Sequence, residues 1–129
     1  VELVRSGLND REKAFRGSKV LLLGVAYKKD VDDVRESPSL DVMKLLEDQG
    51  ATLDFHDPMV NEISWNGRTK TGLNQLDSKK IAGYDAVVIL TEHSGVNYDR
   101  IMESGTLIVD TRNVYDGVVS VNLVKLGVS

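Results

Sequence analysis

The 129-residue chain has no cysteine, which excludes disulfides, thiolate metal sites and a cysteine nucleophile within it and suits a reducing compartment. Histidine occurs only twice and aromatic residues make up 5% of the chain, too few to suggest an imidazole metal cluster or a platform of stacked bases. No apolar run approaches the roughly 20 residues of a membrane-spanning helix. There is no basic amphipathic helix for a membrane surface, and no signal peptide, internal repeat or low-complexity tract. The 16 basic and 20 acidic residues are intermixed, so the net charge of −4 leaves no footprint for nucleic acid. These absences predict a cytoplasmic protein without nucleic-acid or membrane partners.

What is present fits one domain with one core. Val1, Val4 and Leu8 recur at helical spacing before a polar stretch, so residues 1–16 are expected to be the end of a helix arriving from a preceding domain, with the folded unit at 17–129. After Gly17-Ser18, the uninterrupted run Val20–Ala26 predicts a strand covered on both faces. Ser37-Pro38 supplies an N-cap and a first-turn proline for a helix running to about Gln49, with Leu40, Val42, Met43, Leu45 and Leu46 as its apolar stripe and Gly50 as its stop. Ala51, Leu53 and Phe55 alternate with Thr52, Asp54 and His56, the pattern of a half-exposed strand at a sheet edge, closed by Asp57-Pro58.

Residues 59–72 show no firm period. A short helix is expected over 76–82 with Leu76 and Ile81 facing inward, then a buried strand over 85–90, a short helix over 97–103 and a buried strand over 106–109. Strands alternating with helices predict an α/β fold, a three-layer Rossmann-like domain whose mainly parallel sheet is flanked by helices. Ligands of such sheets bind beyond the carboxyl ends of the strands, where strand order reverses.

That rule gathers Tyr27, Lys28 and Lys29 after the first strand, His56 and Asp57 after the second, Thr91, Glu92 and His93 after the third, and Asp110, Thr111 and Arg112 after the fourth. Lys28, Arg112 and Arg35 would then be cations at one crevice. A phosphate ester matches them, since arginine offers a planar fork of donors and lysine a mobile point charge, with the dipole of the helix starting at Ser37-Pro38 nearby. The competing reading makes Lys28 and Lys29 solvated residues and pairs Arg35 with Asp32, Asp33 or Glu36. On spacing alone that reading is slightly favoured, because exposed pairs of this kind are common and nearly neutral in energy.

Other features point away from chemistry. Gly24-Val25-Ala26-Tyr27 lacks the second and third glycines of the dinucleotide fingerprint, and no glycine-rich loop ending in lysine and serine or threonine occurs, so the main NAD site is expected elsewhere. His56 and His93 lack a clustered carboxylate shell, and Asp30, Asp32 and Asp33 lack the further acids of a calcium loop, so no metal is expected. Ser37 is read as a helix cap rather than a nucleophile, and Phe15 and Trp65 as packing residues.

The stretch from Gly24 to Pro38, GVAYKKDVDDVRESP, closely resembles the segment that opens the carboxyl-terminal domain of the UDP-glucose/GDP-mannose dehydrogenase family. The resemblance continues in order through Ser39–Leu46, Gly50-Ala51, His56-Asp57-Pro58, Thr91-Glu92-His93 and Val109–Asn113. It implies a UDP-sugar-binding domain of an NAD-dependent UDP-sugar 6-dehydrogenase, which oxidises the sugar C6 hydroxyl to a carboxylate in two steps. The NAD fingerprint, the thiol nucleophile and the acid/base groups would lie in amino-terminal and central domains of the same enzyme, leaving no catalytic residue in this chain and the isolated chain inactive. The resemblance assigns Tyr27, Lys28 and Arg112 to the UDP-sugar, Arg35 to the NAD side of the interdomain cleft, and Asp33, Glu36 and Ser37 to holding the loop. It also implies a homodimer or higher oligomer of the full-length enzyme. His56 before Asp57-Pro58, where some relatives have tyrosine, resembles enzymes acting on UDP-N-acetylhexosamines more than on UDP-glucose. Two alternatives remain beside it. A free-standing receiver-like regulatory module would need a pair of acids after the first strand, where Tyr27-Lys28 stands. A domain kept for dimer contacts would have a vestigial anion site.

Overall fold

The computed structural model describes residues 17–25, 38–65, 68–73, 76–93, 96–112, 114–115, 117 and 122–125. Strands β1 (Lys19–Leu23), β2 (Thr52–His56), β5 (Ala86–Ile89), β6 (Leu107–Asp110) and β7 (Leu123–Lys125) form one sheet in the order β2-β1-β5-β6-β7. Every pairing in it is parallel. Helices α1 (Pro38–Asp48), α2 (Ser78–Ile81) and α3 (Tyr98–Glu103) connect these strands, and β3 (Glu62–Trp65) pairs antiparallel with β4 (Arg68–Thr71) as a separate hairpin.

The apolar runs explain the layering. In β1, Val20 and Leu22 pack in one core with Met43, Leu46, Leu53, Phe55 and Val88, whereas Leu21 and Leu23 pack in a second core with Ile81, Val87, Ile89, Ile101 and Ile108. The chain leaves β1 first toward β2 and later toward β5 and β6. Crossovers of one hand therefore place α1 on one face and α2 and α3 on the other. Burying each such side chain contributes about 1.5–3 kcal/mol, which is why the uninterrupted runs lie in the central strands.

At the edge, β2 alternates as expected, with Leu53 and Phe55 buried and Thr52, Asp54 and His56 at least partly exposed. Helix α1 turns Met43 and Leu46 inward, with Leu40 and Val42 packed beside them, but Leu45 is 52% exposed and does not belong to the stripe expected for it. The chain leaves α1 through Gly50 at φ +94°, and the Ala51 N–H donates to the Leu46 carbonyl, a left-handed C-terminal cap. Leu76 is partly buried and Ile81 fully buried, both in the second core.

Two elements are additions to the sequence reading. The hairpin occupies the stretch read as aperiodic, and β7 extends the sheet beyond the last expected strand. Only Ile63 of the hairpin is buried among its described side chains, so no alternation announced it. The signal that was available is Asn66-Gly67, a favoured hairpin turn pair, between Glu62–Trp65 and Arg68–Thr71.

Candidate functional site at the carboxyl rim

Sheet register fixes the rim. His56 is opposite Leu23, Leu23 opposite Ile89, Ile89 opposite Asp110, and Asp110 opposite Lys125, so the segments after β1, β2, β5 and β6 leave one edge side by side. Strand order reverses between β1 and β5, the location where doubly wound sheets hold ligands. At that point β1 is followed by Gly24, at φ +83°, whose N–H donates to the His56 carbonyl at 2.9 Å. A Cβ on Gly24 would lie 2.4 Å from the Thr91 carbonyl oxygen and 2.7 Å from the Thr91 Cβ. The missing side chain thus lets the β1 and β5 ends touch each other, and the space is filled by Thr91.

One carboxylate ties three of these strand ends together. Asp57 Oδ1 accepts the Met59 N–H at 2.8 Å, an Asx turn at the end of β2. Its Oδ2 accepts the Val25 N–H at 2.8 Å, just beyond β1, and the His93 Nε2–H at 2.9 Å, just beyond β5. Both side chains of the Asp57–His93 pair are fully buried. His56 belongs to a different system: its Nδ1–H donates to the Leu73 carbonyl at 2.7 Å and pins the chain leaving the hairpin against β2.

The end of β6 repeats the device. Buried Asp110 accepts the Arg112 N–H at 3.0 Å and the Val114 N–H at 3.1 Å on Oδ1, and the Tyr115 N–H at 3.0 Å on Oδ2. The Thr111 hydroxyl donates to the Ile89 carbonyl. Arg112 Nε–H donates to the Leu90 carbonyl at 2.7 Å, so the guanidinium reaches from the end of β6 across the end of β5, next to the reversal point. Arg112 itself is exposed. With Nε held by protein, its Nη groups remain as the planar donor pair that suits a phosphate.

Of the residues expected to form the site, Arg112 lies on the same rim as His56, Asp57, Thr91, Glu92, His93, Asp110 and Thr111, spread over the ends of β2, β5 and β6. Tyr27, Lys28 and Arg35 lie outside the described residues, as do Lys29, Asp30, Asp32, Asp33, Glu36 and Ser37. The sequence reading brought Asp57 and His93 to one edge without pairing them, and it missed Tyr98 and Tyr115. Tyr98 accepts the His93 N–H on its hydroxyl at 3.0 Å, and Tyr115 donates its hydroxyl to the Tyr98 carbonyl at 2.6 Å, with the two rings edge to face. Tyr98 was within reach of a sequence argument, since it opens the short helix that Asn97 caps by accepting the Arg100 N–H.

Tyrosines in these surroundings resist ionisation. Burial, then the hydrogen bond to Asp54 and its charge, raise the Tyr84 hydroxyl above the usual 10.0. Burial, then the charge of Asp110, raise Tyr115, and burial with Glu92, Asp110 and Asp57 raises Tyr98 against the opposing bond from His93. A folded-state value above the unfolded one means a contribution fully present below the unfolded phenol value and lost as pH rises past it. Urea midpoints are therefore expected to fall above about pH 10, with phenolate absorbance rising as the chain unfolds. Tyr84→Phe should make that decline shallower. Phenol titration complete near pH 10 in the folded chain would contradict this.

The chain is similar to known proteins over most of its length. Residues 21–117 match the profile of the UDP-glucose/GDP-mannose dehydrogenase family, UDP binding domain. The chain is 36% identical over 111 residues to a UDP-glucose 6-dehydrogenase of Rhizobium meliloti, covering 78% of this chain and 24% of that protein. It is 33% identical over 106 residues to a UDP-N-acetyl-D-mannosamine dehydrogenase of Methanococcus maripaludis, covering 76% and 23%. Among solved structures, an NDP-N-acetyl-D-galactosaminuronic acid dehydrogenase from Methanosarcina mazei superposes with a TM-score of 0.75 at 30% identity, over 96% of this chain and 27% of that one. The chain spans about a quarter of the length of the curated relatives it matches. The expected resemblance and the α/β architecture thus hold, and the chain belongs to the UDP-glucose/GDP-mannose dehydrogenase family, matching its UDP binding domain.

Proposed function

We propose that this chain is the UDP-sugar-binding carboxyl-terminal domain of an NAD-dependent UDP-sugar 6-dehydrogenase, which oxidises the C6 hydroxyl of a UDP-N-acetylhexosamine or UDP-glucose to a carboxylate. The observation that supports it is the placement of Arg112, anchored through Nε to the Leu90 carbonyl and exposed at the rim where strand order reverses. Arg112 forks onto the nucleotide diphosphate, Lys28 reaches sugar or phosphate oxygens, and Tyr27 packs or hydrogen-bonds beside them.

NAD accepts the hydrides of this oxidation and is held mainly by other domains of the same enzyme, with Arg35 on its side of the cleft. The turn after β1 supports that division, because the space freed by Gly24 is filled by Thr91 rather than left for a pyrophosphate. Residues 17–129 form the domain and 1–16 join it to a central domain. The parent enzyme is a cytoplasmic homodimer or higher oligomer, and among the described residues no helix is long and apolar enough to cross a membrane.

Titrating the chain with UDP tests the reading. Binding is expected, and Arg112→Ala is expected to weaken it by about 10- to 100-fold, since a hydrogen bond to a charged group contributes about 1.5–3 kcal/mol. Lys28→Ala should weaken it less, as loss of a point charge. UDP binding no tighter than that of uridine, or an Arg112→Ala chain with unchanged affinity, overturns the proposal.

A further inference from the structure

We infer that His93 and Tyr98 are positioning residues for the diphosphate site, setting the geometry of Arg112 without touching the ligand. The inference rests on the reading of Arg112 as a UDP ligand and goes beyond it.

Arg112 is fixed from two sides. Its backbone N–H is held by Asp110, and its Nε–H by the carbonyl of Leu90. Each anchor leads to the same tyrosine. From Asp110 the path runs through the Tyr115 N–H and the Tyr115 hydroxyl to the Tyr98 carbonyl. From Leu90 it runs three residues along the turn to His93, whose N–H donates to the Tyr98 hydroxyl. The other side of His93 is held by Asp57, which also holds Val25. The hydrogen-bonded groups thus form one belt beneath the rim, joining the ends of β1, β2, β5 and β6.

Such a belt is a poor way to gain stability alone. Burying an aspartate and a histidine side chain incurs a desolvation penalty that apolar residues of similar volume avoid. What polar contacts supply and apolar packing does not is direction, because each bond fixes the angle as well as the distance of its partner. A guanidinium meant to meet phosphate oxygens in a planar fork needs that fixed angle before the ligand arrives, and supporting hydrogen bonds provide it.

Tyr98→Phe is the cleanest test, since it removes one oxygen and keeps the ring against Tyr115. His93→Leu removes the imidazole donor, and His93→Gln restores an Nε2–H at similar reach toward Asp57. Two readouts apply to the 129-residue chain: UDP affinity by calorimetry, and the Arg112 Nε–H resonance in ¹H–¹⁵N spectra without ligand. In the unsubstituted chain that resonance is expected to be sharp and slow to exchange. In Tyr98→Phe and His93→Leu it should broaden or vanish, with UDP affinity about three- to tenfold weaker, as for loss of one orienting bond. His93→Gln should recover both. A wild-type Arg112 signal and affinity in Tyr98→Phe overturn the inference, even if His93→Leu fails to fold, and so does a His93→Gln chain as impaired as His93→Leu. If the unsubstituted chain does not bind UDP, the proposed function fails, and the unliganded Arg112 signal separates that failure from a failure of the belt.

Discussion

Gly24→Ala is expected to destabilise the chain by roughly 2–5 kcal/mol, the sum of a left-handed backbone penalty of about 1–2 kcal/mol and an overpacking cost of about 1–3 kcal/mol. The first term follows from φ +83°, a conformation that residues with a Cβ rarely adopt. The second follows from the 2.4 Å separation between an added Cβ and the Thr91 carbonyl oxygen. The obstacle is backbone, with Thr91 Cβ and N also inside 3 Å, so no rotamer change relieves it. Relief requires β1 and β5 to part at the point where their ends meet.

Gly17→Ala is the control that isolates the two terms. Gly17 has φ +84°, yet nothing lies within 4 Å of its ideal Cβ, so its substitution should cost only the backbone term of about 1–2 kcal/mol. Thermal unfolding measures both. A Gly24→Ala chain that melts within a few degrees of Gly17→Ala would show that the contact with Thr91 is not tight. If it folds, Gly24→Ala should also bind UDP more weakly, since Thr91 and the Leu90 carbonyl that anchors Arg112 share one turn.

Much of the fold was legible because burial leaves a pattern. The runs at 20–23 and 86–89 are apolar on both faces and are covered on both faces, and the alternation at 52–56 is that of a strand with one covered face. Where burial rests on single residues the pattern fails. Ile63 anchors the hairpin, and β7 docks through Asn122, whose side chain donates to the Thr106 carbonyl while its own carbonyl accepts the Ile108 N–H. The site was legible to the same extent. Strand ends can be counted from apolar runs, which brought Asp57, His93 and Arg112 to one rim. That Asp57 and His93 touch depends on how far each turn bends over the sheet, and Tyr98 and Tyr115 join them only through the packing of α3. Asp57 and Asp110 do share a readable feature: each stands at or just past the end of its strand and accepts the N–H two residues on. Aspartate at that position is a turn former, and in Asp57 the second oxygen also reaches the ends of β1 and β5.

Asp57→Ala is expected to cost roughly 3–5 kcal/mol, the range for removing one partner of a buried pair. Three donors lose their acceptor at once: the N–H groups of Val25 and Met59 and the Nε2–H of His93. Both side chains of the Asp57–His93 pair are fully buried, so bulk solvent does not stand in for the lost carboxylate where it lay. Against a total stability of about 5–15 kcal/mol for a domain of this size, the substitution removes a substantial share and should lower the urea midpoint markedly. Asp57→Asn is expected to fall between, because its one amide oxygen can serve either Met59 or the Val25 and His93 side, never both. A double-mutant cycle with His93→Gln assigns the loss. If the cost of Asp57→Asn is the same with His93 or glutamine beside it, the imidazole contributes nothing that a neutral donor does not. A smaller cost beside glutamine measures how much more the imidazole contributes to its contact with Asp57 than an amide donor does. A chain carrying Asp57→Ala whose urea midpoint matches the unsubstituted protein would mean that the ends of β1, β2 and β5 are held by packing alone, and that the carboxylate is not what joins them.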